Sequence, residues 1–225
     1  MSSALLVASS LLLSPAPHHK VNSDPWDLKP TFTPGAKLQW TVSVEASIDG
    51  QDHTATFDLN EGTKAGDAAK GQPIQLEMAN VMVDTNPQEG GSGDGIVNAQ
   101  NVLQSEDEDD WRRTFSPLLF AYPLAPVSIG DSWKAEVTPT AKGAAKMSYE
   151  FTAKQVEQVD GIDALLVTSK LKEAGDDGVS ADGSWWVAKD GKVLKFKLVA
   201  KNWFVKVAGH SFDATITGKM KLAAH

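Results

Sequence analysis

The side chains best suited to proton transfer or metal ligation in this chain are its five histidines, His18, His19, His53, His210 and His225. The first two fall in the N-terminal lead region and the last ends the sequence. That leaves His53 and His210, each at the start of an expected strand. Gly-x-Ser-x-Gly, a phosphate loop, a dinucleotide fingerprint and His-Glu-x-x-His are all absent. Cysteine is absent too, which removes disulfides, thiolate metal sites and cysteine catalysis. The acidic turns Gly93-Asp94-Gly95, Asp176-Asp177-Gly178 and Asp182-Gly183 lack the alternating spacing that wraps calcium, and turn formation accounts for them. Asp58 and Glu150 would suit a glycosidase acid–base pair, but among 29 acidic residues two carboxylates on one sheet carry no signal. The acidic run from Glu106 to Asp110 reads as a helix start with a solvated face rather than a metal site. The expectation is a non-enzymatic protein with no catalytic residue, no metal and no cofactor.

Aromatic side chains are the more informative set. Of seven tryptophans, Trp40 and Trp185 fall on apolar strand faces, whereas Trp186 and Trp203 fall on the opposite, lysine-bearing face with Lys195 and Lys197. The first pair is expected in a core or a lining. The second pair, with its lysines, is the candidate surface for a partner, a sugar or a lipid headgroup.

These residues must be held by strands. Asp190-Gly191 is a strong hairpin signal, and a two-residue turn there pairs Lys189 with Lys192, Val187 with Leu194 and Trp185 with Phe196. Between Ala36 and Ile48, Leu38, Trp40, Val42, Val44, Ala46 and Ile48 alternate strictly with polar residues. Ala55, Phe57 and Leu59 follow in phase, then Ile74, Leu76 and Met78. The phase slips to Val81 and Val83, predicting a bulge near Ala79-Asn80. Met147, Tyr149 and Phe151, then Leu165, Val167 and Leu171, and finally Phe212, Ala214, Ile216 and Met220 repeat the pattern. One helix is expected after Ser105-Glu106-Asp107-Glu108, which has the form of a capping box; Glu108 with Arg112 and Asp109 with Arg113 have pairing spacing.

About eight long strands with one greasy face each make a mainly β protein. The expected architecture is an antiparallel, strongly curved sheet, an open half-barrel, with a closed up-and-down barrel as the alternative. The segment from Val102 to Tyr122 supplies a short helix and loop cover. Domain boundaries follow: 1–17 a signal peptide, read from its apolar run, 18–34 an extended lead-in, and 35–225 a single β domain with a helix and loop insertion at about 87–126. No later segment is apolar enough to cross a membrane as a helix, and a net charge of −8 without a dense basic cluster argues against nucleic acid.

Two segments carry a resemblance. Pro126-Val127-Ser128-Ile129-Gly130-Asp131-Ser132-Trp133 and Gly183-Ser184-Trp185-Trp186-Val187 with Asp190-Gly191 are similar to segments of uncharacterised exported β-rich bacterial proteins. The hairpin also resembles those of LolA/LolB-like half-barrel lipoprotein carriers. That resemblance implies an exported or periplasmic protein whose curved sheet holds acyl chains. Two functional readings result. In the first, an apolar small molecule or lipid lies between sheet and cover, against Trp40, Met78, Phe115, Leu119, Met147, Phe151, Trp185, Phe196 and Met220. In the second, the chain is a cell-envelope structural or protein-interaction module that uses Trp186, Lys195, Lys197 and Trp203.

Overall fold

A computed structural model describes residues 24–30, 32–65, 71–104, 109–137, 145–205 and 208–221. The expected signal peptide and the capping box at Ser105–Glu108 lie outside these residues. Among the described residues twelve strands form one antiparallel sheet. They are β1 (Lys37–Ile48), β2 (Gln51–Thr63), β3 (Gln72–Val83), β4 (Asn86–Pro87), β5 (Gly91–Val97), β6 (Leu103–Gln104), β7 (Ser132–Val137), β8 (Met147–Val159), β9 (Ile162–Glu173), β10 (Ser180–Ala188), β11 (Val193–Val205) and β12 (His210–Met220). The sheet order is β6-β5-β3-β2-β1-β12-β11-β10-β9-β8-β7, with β4 paired to β3 off this path. The end strands β6 and β7 do not pair, so the sheet is open and the closed-barrel alternative is set aside.

The alternation read from the sequence does the folding. On β1, Trp40, Val42 and Val44 are buried and Thr41, Ser43 and Glu45 exposed, as a period of two requires. Asp49-Gly50 and Asp160-Gly161 both have positive φ at each residue and close two-residue turns, with Ile48 opposite Gln51 and Val159 opposite Ile162. The predicted slip in β3 is present: Asn80 has φ 52° and the β2–β3 register shifts between Thr56 and Asp58. Bulges of this kind increase twist and bend the sheet.

Two expectations are corrected at β11. Trp185 pairs with Phe196 as expected, but four residues, Lys189 to Lys192, separate β10 from β11. Gly191 N–H donates to the Ala188 carbonyl at 2.9 Å and Ala188 N–H to the Lys192 carbonyl at 2.8 Å. Only Gly191, at φ +85°, takes the left-handed conformation, so Asp190 is spared it, and Val187 pairs with Val193 instead of Leu194. Further on, Asn202 at φ 52° inserts an extra residue between Ala200 and Trp203. Trp203 therefore turns inward and is 1% exposed, away from the lysine face where simple alternation put it.

The concave face is covered by α1 (Asp109–Phe115), a 3-10 turn (Ser116–Leu118) and the strand-like stretch to Tyr122. Trp203 Nε1 donates to the Thr114 carbonyl at 2.8 Å, and Trp133 Nε1 to the Ala121 carbonyl at 2.9 Å. The Phe120 ring meets Phe151 at 5.2 Å and Trp185 at 5.6 Å. The arginines of α1 reach across to the sheet: Arg112 and Arg113 donate to the two carboxylate oxygens of Glu173 at 3.1 and 3.0 Å. Among the described residues no helix is long and apolar enough to cross a membrane.

Candidate functional site

Strands of 12 or 13 residues extend about 40 Å at 3.3 Å per residue, whereas a seven-residue helix covers about 10 Å. The 3-10 turn and the stretch to Tyr122 extend the cover, yet part of the concave face lies beyond it. Where it ends, past Trp203, the concave face opens into a cleft of about 460 Å³. Val44, Ala46 and Ile48 of β1 form its floor, with Ala55 and Phe57 of β2 beside them. Met78, Val81 and Val83 of β3 close one side, and Trp203, Val205 and Phe212 the other. Small residues make the room. Ala46 lies between Ala214 on β12 and His53 on β2, and Val44 opposite Ala55.

The rim is polar. His53, Thr54, Gln88, Glu89 and His210 border the cleft. His53 Nδ1–H donates to Asp84 at 2.6 Å, and the Thr54 backbone N–H donates to the other oxygen of Asp84 at 2.8 Å. The Thr54 backbone bond, then the His53 bond, hold the Asp84 carboxyl below its usual range. His210 Nδ1–H donates to the Ala208 carbonyl at 2.8 Å and its ring lies against Phe212 at 5.7 Å. The two strand-start histidines thus share one rim, each with Nδ1 committed. Among the described residues no serine lines the cleft, and no group of three or more ligating side chains forms a metal site.

Of the residues expected to contact a ligand, Met78 lines this cleft. Trp40, Leu119, Trp185 and Phe196 line a second chamber, of about 30 Å³, at the opposite end of β1. Phe115, Met147, Phe151 and Met220 are buried and line neither. On the outer face, Trp186 is half-buried, its Nε1 donating to Glu157 at 2.5 Å and its ring under Lys195 at 4.7 Å; Lys197 is exposed. Sequence reasoning missed the cleft residues Val44, Ala46, Ala55, Phe57, Val205 and Phe212. Periodicity marks them as inward but cannot say whether anything packs on them. The one available signal was the mismatch between strand length and cover length.

No protein-family profile matches the chain, nor does any curated protein. It is similar to the solved structure of a protein assigned as a lipoprotein from Parabacteroides distasonis, at 10% identity and a TM-score of 0.36, covering 87% of this chain and 100% of that one. The hypothetical lipoprotein YmcC from Escherichia coli is similar at 9% identity and a TM-score of 0.33, over 88% and 93%. A domain assigned to outer-membrane lipoprotein sorting, from Vibrio parahaemolyticus, is similar at 10% identity and a TM-score of 0.23, over 83% and 84%.

Proposed function

We propose that this protein binds an apolar ligand with the character of a lipid acyl chain in the cleft beyond the cover, holds it without chemical change, and works in the cell envelope. The cleft carries the reading. Its volume of about 460 Å³ falls within the roughly 300–1,000 Å³ of small-molecule sites, and its walls are aliphatic and aromatic with polar groups at the rim. A preformed apolar wall rewards an apolar guest by about 25 cal/mol per Å² withdrawn from water. The apolar run from Ala4 to Leu13 supports export. The interaction-module reading loses support because Trp203 faces inward and Trp186 is engaged by Glu157 and Lys195.

The test is uptake of a fluorescent fatty-acid probe by the purified protein, with native mass spectrometry for co-purified adducts. Ala46→Trp fills the cleft from its floor and is expected to weaken probe binding about tenfold or more, while Lys197→Ala on the outer face leaves it unchanged. Equal binding by the wild type and Ala46→Trp, with the fold intact by circular dichroism, overturns the reading.

A further inference from the structure

The smaller chamber has a chemistry of its own. Glu61 of β2 faces inward with Leu59 and Thr63 and is 8% exposed. It borders the chamber together with Asn101 and the rings of Trp40, Phe120, Tyr122 and Trp185. Every side-chain donor in this lining is spent on a protein acceptor. Trp40 Nε1 donates to the Val193 carbonyl at 2.9 Å, the Tyr122 hydroxyl to the Gly191 carbonyl at 2.8 Å, and Trp185 Nε1 to Ser169 Oγ at 2.8 Å.

The acceptors are left over. Asn101 donates its amide to the Phe120 carbonyl at 3.3 Å, which fixes the orientation of the amide and leaves Oδ1 buried without a hydrogen-bond partner. Glu61 makes no hydrogen bond or ion pair among the described residues. Two buried acceptors, one of them ionisable, thus meet one small space with no donor to serve them. Leaving such groups unsatisfied is costly, most of all for a charge.

We propose that this chamber is a binding site for an ammonium-type cation, which donates to the Glu61 carboxylate and Asn101 Oδ1 and rests among the aromatic rings. The proposal is independent of the apolar cleft. An ammonium ion is close to a water molecule in size, and a chamber of about 30 Å³ has room for it. It brings the donors the lining lacks, it neutralises the carboxylate, and its remaining N–H groups are attracted by ring faces. Water supplies donors but leaves the charge uncompensated. A divalent metal needs about six oxygen ligands, and two side chains do not supply them. Quaternary ammonium has no N–H and can donate to neither acceptor. The entry side is formed by Pro30, Phe32 and Leu38, all half-buried, so a primary amine can reach in with its charged end only.

Thermal melts at pH 8 and constant ionic strength, in chloride salts of ammonium, methylammonium, potassium, sodium and tetramethylammonium, test this. Ammonium is expected to raise Tm by about 2–4 °C over sodium, saturably, with tetramethylammonium inert. A matching rise with methylammonium identifies the end of a primary amine as an occupant, and its failure restricts the site to free ammonium. Glu61→Gln, an isosteric change that removes the charge, abolishes the response. In parallel, 15N-ammonium should give a bound NMR signal with cross-peaks to the Trp40 and Tyr122 ring protons. Equal melts in ammonium and sodium without a bound signal, or an equal response to potassium, overturn the proposal; the chamber then holds only water or selects by size alone.

Discussion

Glu61 shows what one buried side chain does to a β-sheet protein. Burial, with no compensating partner, lifts its carboxyl from 4.5 to about 7. Because the folded pKa lies above the unfolded one, the native state holds the proton more tightly. Stability contributed by the neutral form is complete below about pH 4.5 and is lost as pH rises through 7. The shift corresponds to about 3 kcal/mol once both states are ionised. In ammonium-free buffer, Glu61→Gln is therefore expected to stabilise the protein by about 2–3 kcal/mol at pH 8 and to leave it unchanged at pH 4. Urea unfolding at the two pH values measures this; equal effects at both would show that the side chain is not desolvated as described. Nothing in the sequence marks Glu61, since a Glu at an inward strand position reads as a break in pattern until its neighbours are known.

The cover is tied down by charge as well as by packing. Glu173, 3% exposed, accepts from Arg112 and Arg113 and from the Val179 N–H at 2.9 Å. Arg113 also donates to the Asp177 carbonyl at 2.8 Å, so one carboxylate joins α1 to the loop between β9 and β10. Removing one partner of a buried pair costs about 3–5 kcal/mol, because the other charge stays in a poorly polarisable setting. Glu173→Gln is expected to lose stability on that scale in denaturant titrations. Hydrogen exchange should then show faster opening at 111–122 than in β1 and β12. The i,i+4 spacing of these arginines with upstream acids suggested a pairing local to the helix. Both arginines also reach a carboxylate 60 or 61 residues away, where burial gives it a stronger field than a solvated one.

At the scale of the molecule, an open sheet has two edges to protect. One ends in β6, only two residues long, which offers little ladder to a second chain. The other is β7, whose outward Lys134 and Glu136 are held by Glu150 at 2.5 Å and Lys146 at 2.6 Å. Charged outward residues on an edge strand oppose pairing with another copy, because association would bury them. The double substitution Lys134→Val and Glu136→Val is expected to produce concentration-dependent oligomers in sedimentation velocity, while the parent distribution stays unchanged over the same range. The openness that exposes these edges also leaves the concave face to be filled by a cover of limited length, and the cleft is what the cover does not reach.

The one-sided alternation of the strands, the Asp-Gly turns and the slip at Asn80 follow from local rules: side chains alternate with period two, and few residues accept positive φ. The sequence alone therefore determined an antiparallel, one-faced sheet with a helical cover. Which inward residues meet protein and which meet open space was decided by tertiary structure, because alternation specifies a direction and not a neighbour. The bulge at Asn202 is the clearest case. One extra residue moved Trp203 from an expected outer surface into the core, where it anchors the cover at Thr114 and forms a wall of the cleft. A slip of one residue reverses every side chain beyond it, and only the pairing partner reveals the slip.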